Sequence, residues 1–217
     1  MADSGFHPDW LDDASRAAQA FGSTVVPTVI RKTTYGERGY DIFSRLLEDR
    51  IIFIGSGIND MVANLVVAQM LFLQSENKKQ DITLYIHCPG GLITSGLAIS
   101  DTMQLVQCDV ATYVVGHAFS MAAVLLAGGT KGKRFALPHA RVMLHQPWGD
   151  VEGTATDISI HAEEMVKLKQ WINEILAKHT EQPLERIEKD TDREFYMSAQ
   201  DAKLYGLVDE ILTARSR

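Results

Sequence analysis

The chain has 217 residues, of which 46% are hydrophobic and 23% are charged, and its formal net charge is −7. A chain of this length and composition is globular and long enough for one sizeable core, so we expect a single folded domain. Its acidic and basic residues are interspersed and form no basic stripe, which argues against nucleic acid or an anionic membrane as the main partner.

Residues 1–24 are predicted to form a leader outside this domain, which we place at residues 25–217. Apolar residues from Trp10 to Phe21 have helical spacing, which fits either a short surface helix or a removable segment. Acidic residues stand where a secretory signal has basic ones, and no apolar run approaches the ~20 residues of a membrane span. The cysteines, at positions 88 and 108, are too few for a disulfide framework, so we expect a cytoplasmic protein.

A short N-terminal segment precedes the core pattern. Residues 25–30 are predicted to be an extended edge segment, because Pro27 cannot donate a backbone hydrogen bond to a neighbouring strand. Residues 31–39 are predicted to be a polar loop, made flexible by Gly36 and Gly39.

From Asp41 onwards, strand and helix patterns alternate. Asp41 and Asn59 are predicted to cap the first two helices, and Ser198 with Asp201 forms a capping-box pattern near the end of the chain. The predicted strands are 51–54, 82–86, 110–115, 142–144 and 207–212, and the predicted helices include 42–47, 94–106 and 158–179. This alternation predicts an α/β fold with a largely parallel sheet that helices cover on its faces.

The helix at 158–179, for which Asp157 is the predicted cap, is expected to be ~30 Å long, more than a compact domain needs for its own core. We therefore expect part of it to contact another subunit. The residues predicted to be buried along it are Ile160, Met165, Leu168, Trp171, Ile172 and Ile175.

Ser120 and His145 are the candidate residues for nucleophilic chemistry. Ser120 lies between the strand pattern 110–115 and an apolar, small-residue segment expected to be a buried helix, and His145 closes the strand pattern 142–144. A strand–turn–helix corner presents a side chain at the edge of a sheet, where a histidine can act as its base.

The sequence Cys88-Pro89-Gly90-Gly91 directly follows another predicted strand. Its two glycines allow a tight turn with free backbone N–H groups, which is what stabilisation of an oxyanion requires. A simple sharp turn explains the same residues about as well.

Three acidic residues, Asp190, Asp192 and Glu194, are interleaved with basic ones, as in a solvated surface segment. A serine–histidine pair would nevertheless need one such acid to orient the imidazole. His139 has no further metal ligand at a suitable spacing, and residues 128–133 lack the order of a phosphate-binding loop, so no metal or nucleotide site is predicted.

Several segments together carry a resemblance to a known family; they are Tyr35–Leu47, Ala68–Leu73, Pro89–Gly91, Ala118–Met121, Lys131–Phe135, Arg141–Pro147 and Asp190–Arg193. From about Val25 to Leu212 the chain resembles the ClpP family, the proteolytic subunits of ATP-dependent Clp proteases.

The resemblance implies the crotonase-like (ClpP/crotonase) α/β fold, with a mostly parallel sheet, covering helices and a protruding strand–helix handle at about 149–179. It implies a serine endopeptidase that cleaves unfolded proteins inside two stacked heptameric rings, in homo- or hetero-oligomers. An AAA+ unfoldase of the ClpX, ClpA or ClpC type would feed the chamber and use the ATP, while this chain would need no cofactor or metal. Residues 1–24 would be a propeptide and residues 26–39 an axial pore loop.

Position by position, the resemblance implies that Ser120 is the nucleophile, that His145 is the general base, and that the N–H groups of Gly91 and Met121 form the oxyanion hole. Glu194 occupies the position of the acid that orients the histidine, where the family usually has aspartate. The implied contact residues are Asp192 and Arg193 between the rings, and Tyr85, Leu105, Tyr113 and Phe135 for docking of the unfoldase.

Other departures from the family pattern lie beside the nucleophile, where Phe119 replaces a small residue and Ala122 replaces a glycine, and in the docking region, where Thr83 replaces an aromatic residue. They leave open an alternative, a non-catalytic ring subunit.

A crotonase-type acyl-CoA enzyme would use carboxylate chemistry without a serine nucleophile. An ordinary α/β-hydrolase would place its acid before its histidine in the chain. The Ser120–His145 pair argues against the first of these enzymes, and the acids that follow His145 in the chain argue against the second.

Overall fold

The computed structural model describes residues 26–33 and 36–213, which fall into two compact units, one ending at Asp49 and the other beginning at Arg50. The predicted leader lies outside the described residues. In the first unit, strand β1 (Thr28–Thr33) pairs antiparallel with β2 (Gly36–Asp41). Helix α1 (Ile42–Glu48) follows, and the Asp41 side chain caps it by accepting from the Ser44 N–H at 2.9 Å.

The prediction of a polar loop over residues 31–39 was wrong. Residues 31–33 belong to β1 and residues 36–39 to β2, and their backbones pair in register with one another. Backbone pairing satisfies the hydrogen-bonding groups of this stretch whatever its side chains are, so polarity alone was a poor guide to its structure.

The second unit contains a seven-stranded sheet. Its strands are β3 (Ile51–Ile54), β4 (Ile82–Cys88), β5 (Val110–Phe119), β6 (Arg134–Ala136), β7 (Arg141–Leu144), β8 (Phe195–Ser198) and β9 (Glu210–Ile211). The order is β3-β4-β5-β6-β9, while β7 pairs with the far end of β5 and β8 pairs with β7. All of these pairings are parallel except that of β7 with β8. The predicted α/β fold with a largely parallel sheet is confirmed.

In the described part of the second unit, six helices accompany the sheet: α2 (Asp60–Glu76), α3 (Ile93–Leu105), α4 (Met121–Ala127), α5 (Ala155–Thr180), α6 (Leu184–Asp190) and α7 (Ala199–Tyr205). The predicted caps of α2 and α7 are confirmed, since Asn59 accepts from the Val62 N–H and Ser198 forms a capping box with Asp201. None of the helices in residues 26–33 and 36–213 combines the length and apolar character that a membrane span requires.

Two strands of the second unit escaped the sequence analysis, and a third is shorter than predicted. Strand β6 contains Arg134, which is 3% exposed and pairs with Asp209 at 2.6 Å. A buried charge of this kind hides the apolar pattern of a strand. The predicted last strand, 207–212, is shortened to β9, and Leu207 and Val208 pack in the core ahead of it. Strand β8 was also missed.

Helix α5 begins at Ala155, earlier than predicted, because Thr154 rather than Asp157 is its cap: the Thr154 hydroxyl oxygen accepts from the Asp157 N–H at 3.3 Å. Residues 145–154 form an irregular connection in place of the strand implied for the handle. The prediction of burial along the helix was wrong for Ile160 and Trp171, which are 59% and 50% exposed, whereas Ile172 is buried. Ile158 and Val166 are exposed as well, so the first half of α5 presents apolar side chains to the outside of this unit.

Candidate active site

Ser120 stands at a sharp corner between strand β5 and helix α4. Its backbone has φ 55° and ψ −125°, a left-handed conformation that costs a residue with a side chain on the order of 1–3 kcal/mol. The neighbouring strand holds this corner in place, because the Ser120 N–H donates to the Met143 carbonyl oxygen at 2.8 Å. All residues of α4 are buried, so the half-buried serine rests on a rigid base.

The turn after strand β4 packs directly against Ser120. A Cβ added to Gly90 would lie 2.7 Å from the Ser120 Cβ, and one added to Gly91 would lie 2.1 Å from the Ile58 carbonyl oxygen. Ile58 also fixes the turn through its backbone, since its N–H donates to the Gly90 oxygen at 2.7 Å and its oxygen accepts from the Leu92 N–H at 2.8 Å. Glycine is required here by space as well as by the positive φ of both residues.

Two backbone N–H groups at this junction, those of Gly91 and Met121, have no hydrogen-bond acceptor among the residues that the structure describes. The N–H of Gly90 is already engaged, because it donates to the Cys88 sulfur at 3.3 Å. Burial raises the pKa of the Cys88 thiol to about 11, so the sulfur stays protonated and serves as a structural partner. The N–H groups that the sequence analysis assigned to the oxyanion hole are therefore free to donate, as is the N–H of Ala122 in the same first turn of α4.

The sheet brings His145 to the same pocket as Ser120. Strand β7 pairs in parallel with the end of β5, with Phe119 opposite Met143, so the chain leaves both strands at the same edge. Ser120 and His145 line one small pocket; its other lining residues are Ile93, Met121, Val124, Leu144, Pro147, Ile172 and Leu176. The pocket is therefore an apolar recess with one hydroxyl and one imidazole in its wall.

Burial lowers the pKa of His145 below its ordinary value, and the carboxylate of Glu194 opposes this effect. The imidazole is consequently neutral at neutral pH, which is the form that can accept a proton.

The antiparallel pairing of β7 with β8 explains why Glu194 acts on His145. Met143 pairs with Tyr196 and Leu144 pairs with Phe195, so the next positions along the two strands are those of His145 and Glu194. Glutamate 194 is exposed, and it is the carboxylate that influences the histidine.

The two rival acids have other partners. Asp190 accepts from the Tyr205 hydroxyl at 3.0 Å and from the Arg186 guanidinium at 3.4 Å. Asp192 faces Gln146, whose amide donates to its backbone oxygen at 2.9 Å and to its carboxylate at 3.4 Å. Neither acid is among the groups that shift the pKa of the histidine.

Tyr196 is a residue that sequence reasoning missed. Its hydroxyl donates to Oε2 of Glu194 at 3.0 Å. The available signal was spacing: Glu194 immediately precedes β8 and Tyr196 lies two positions further on, and alternate residues of an extended chain face the same side.

The predicted docking residues form most of an aromatic row across the sheet. Stacked rings run from Phe53 to Tyr85, Tyr113 and Phe135 on four neighbouring strands, with centroid distances of 5.1, 5.0 and 4.7 Å. The four positions pair directly in the strand registers. Phe53 was missed by the sequence analysis, because its place opposite Tyr85 depends on a strand register that the sequence does not show. Leu105 belongs to a different element, as the last residue of α3, and is 75% exposed.

The predicted contact pair, Asp192 and Arg193, follows helix α6. The two side chains are 59% and 89% exposed and their charged atoms are 3.9 Å apart. Such a weak, exposed pair contributes little to the stability of this chain itself. Within the described part of the chain, no group of three or more His, Cys, Asp or Glu side chains could hold a metal ion.

A parallel α/β sheet whose edge carries a strained serine, a histidine and two unengaged backbone donors has the architecture of a hydrolytic enzyme. Comparison with known families places the chain more narrowly: the family model described as Clp protease matches residues 34–215, and the chain belongs to this family. The family and the ClpP/crotonase-like fold expected from the sequence are thereby confirmed. Membership implies a peptidase that acts in protein degradation and in oligomeric assembly with Clp ATPases.

Proposed function

We propose that this chain is a serine endopeptidase subunit that cleaves unfolded proteins to short peptides, with Ser120 as the nucleophile. The observation that carries the proposal is the strained corner of Ser120, which shares one pocket with His145. Backbone strain of this kind persists where a fold is selected for a site rather than for stability alone.

In the first half of the reaction, the Ser120 hydroxyl oxygen attacks the carbonyl carbon of the substrate while His145 takes the hydroxyl proton. The backbone N–H groups of Gly91 and Met121 donate to the oxyanion as it develops. The lowered pKa of the buried histidine keeps it neutral and ready to act as this base. The described residues include no Ser120–His145 hydrogen bond, and such bonds commonly tighten only when substrate is bound.

In the second half, the carbon–nitrogen bond breaks and His145 gives its proton to the leaving amine. A water molecule then attacks the acyl ester as His145 removes one of its protons, and that proton returns to the Ser120 oxygen as the ester bond breaks. Glu194 stabilises the imidazolium formed in each half. These steps use no metal and no nucleotide in this chain.

The apolar lining of the pocket favours a peptide with an apolar side chain next to the scissile bond. Such side chains are buried in folded proteins and exposed in unfolded ones. This preference supports unfolded proteins as the substrates.

We place the chain in two stacked heptameric rings, built from identical or mixed subunits, that work with an AAA+ unfoldase of the ClpX, ClpA or ClpC type. The exposed apolar side chains of α5 support its role as the contact between rings, with Asp192 and Arg193 beside it. Tyr85, Leu105, Tyr113 and Phe135 would dock the unfoldase, which alone would use ATP.

Residues 1–24 would be a propeptide and residues 26–39 an axial pore loop.

Both cysteines are free and buried, which fits a reducing compartment, and we assign the chain to the cytoplasm.

The experiment that tests the proposal combines hydrolysis of a fluorogenic peptide, labelling with a fluorophosphonate probe and native mass spectrometry. Ser120→Ala should abolish hydrolysis and labelling while the rings still assemble. Ser75→Ala is the matched control, because the Ser75 hydroxyl only donates to the Phe72 carbonyl on the exposed face of α2. Turnover retained in Ser120→Ala would exclude this nucleophile. A parent chain that assembles but stays unlabelled, even with an unfoldase present, would establish the non-catalytic ring subunit instead.

A further inference from the structure

Two of the departures from the family pattern, Phe119 and Glu194, are connected through Tyr196. The Phe119 ring lies edge-to-face against the Tyr196 ring, with a centroid distance of 5.7 Å and an interplanar angle of 89°. The Tyr196 hydroxyl in turn donates to Oε2 of Glu194 at 3.0 Å. One chain of contacts therefore runs from the residue before the nucleophile to the acid beside the base.

We propose that Tyr196 is a positioning residue that holds the Glu194 carboxylate in place for His145, and that the Phe119 ring keeps the tyrosine in position. The inference rests on the proposed function, in which Ser120 and His145 carry the reaction and Glu194 orients the imidazole.

The reason such a support is needed lies in the length of the acid. Glutamate has one more rotatable bond than aspartate, and Glu194 is exposed, so its carboxylate would sample several rotamers in water. The bond from Tyr196 engages Oε2 and restricts this freedom, while Oε1 remains for the imidazole N–H. A displacement of about 1 Å at a catalytic group can cost ~10² in rate, so a restriction on the position of the Glu194 carboxylate protects the rate.

The tyrosine is itself held on both sides. Its backbone pairs with Met143 in the β7–β8 ladder, and its ring meets Phe119, whose other neighbour is the ring of His117 at 4.7 Å. Burial, together with the bond to Glu194, raises the pKa of Tyr196 above its ordinary value. The hydroxyl therefore stays protonated and able to donate throughout the neutral range.

The first test is Tyr196→Phe, which keeps the ring and removes only the hydroxyl. We expect kcat to fall about tenfold, the effect of one hydrogen bond to a charged group. KM should stay unchanged, because Tyr196 does not line the substrate pocket. Tyr205→Phe is the matched control: it removes a tyrosine–carboxylate bond of the same 3.0 Å length, to Asp190, and should leave kcat within twofold of the parent.

The second test repeats Tyr196→Phe in a Glu194→Asp background. The shorter side chain draws the carboxylate back towards the strand and away from the tyrosine hydroxyl, so the same substitution should now change kcat less than about twofold. A merely structural role for Tyr196 would instead make the single and the double variant lose activity equally. Native mass spectrometry confirms that each variant assembles.

The outcomes separate this inference from the function on which it rests. Turnover in Ser120→Ala would remove the proposed function itself. If Ser120→Ala is inactive but Tyr196→Phe keeps kcat within twofold of the parent, the positioning role alone is overturned. An equal loss in both backgrounds, or an equal loss in the Tyr205→Phe control, overturns it as well.

Discussion

Substitution of Gly91 by alanine should silence the site while leaving the rest of the fold in place. The added Cβ would lie 2.1 Å from the Ile58 carbonyl oxygen, 2.6 Å from its nitrogen and 2.8 Å from its carbonyl carbon. All three atoms belong to the backbone, so no side chain can swing away to relieve the overlap. The turn itself has to move.

The size of the effect follows from that movement. A carbon and a carbonyl oxygen need more than 3 Å between them, so the Gly91 backbone is displaced by roughly 1 Å, which can cost about 10² in rate at a catalytic group. Its N–H is the proposed oxyanion donor, and the loss of one such donor costs about 10²–10³ in kcat. We therefore expect kcat of Gly91→Ala to fall at least about 10²-fold.

The assay is steady-state hydrolysis of a fluorogenic peptide, with thermal unfolding and native mass measured on the same samples. Gly132→Ala is the matched control, because Gly132 also has a positive φ of 85° but no atom within 4 Å of an added Cβ. It carries the conformational cost of alanine without the overlap, and should keep kcat within twofold of the parent. If Gly91→Ala retains more than a third of the parent kcat, the Gly91 N–H does not form the oxyanion hole.

Three further predictions concern the acid, the pocket and the core. Glu194→Gln should lower kcat by up to about 10⁴. Because Glu194 raises the pKa of His145, its removal should also move the acid limb of the pH–rate profile to lower pH. An acid limb that does not move would contradict the pairing of Glu194 with His145. Ile172→Ala should enlarge the pocket and raise kcat/KM for peptides with larger apolar side chains, relative to smaller ones, by roughly tenfold. If kcat/KM ranks a series of peptides in the same order as in the parent, another surface selects the side chain of the substrate. Asp209→Ala should lower the free energy of unfolding in urea at pH 7 by about 3–5 kcal/mol, because it leaves Arg134 buried without its partner. Burial works to raise the pKa of Asp209, but the bonds and charge of Arg134 hold it below its ordinary value, so the stability that this pair contributes should be complete above about pH 3.9 and be lost as the pH falls further.

The parts of this structure that were predictable from sequence are those set by neighbouring residues. Asn59 caps α2 through a bond to the backbone three residues on, and the capping box of α7 is equally local. The strand–turn–helix pattern around Ser120 was visible for the same reason. Strand β6 was not, because the charge of Arg134 is compensated by a residue far along the chain.

The set of residues that meet at the site depends on contacts between segments far apart in the chain. His145 and Glu194 come together only through the antiparallel register of β7 and β8, and a strand pattern carries no record of which strand it pairs with. Resemblance to a family supplied the position of the acid, but not the hydroxyl of Tyr196 beside it. The overlap that makes Gly91 irreplaceable by alanine is likewise invisible in the sequence, where a pair of glycines fits any tight turn.

With Ser120 as the proposed nucleophile, its left-handed backbone places stability and activity in opposition at a single position. Glycine adopts such a conformation at little cost, whereas serine does so against a penalty of on the order of 1–3 kcal/mol. A sequence optimised only for folding would therefore carry glycine here and would lack the proposed nucleophile. The surrounding sheet and the buried helix α4 hold the serine in this conformation, so part of the stability of the fold offsets the cost of the serine backbone.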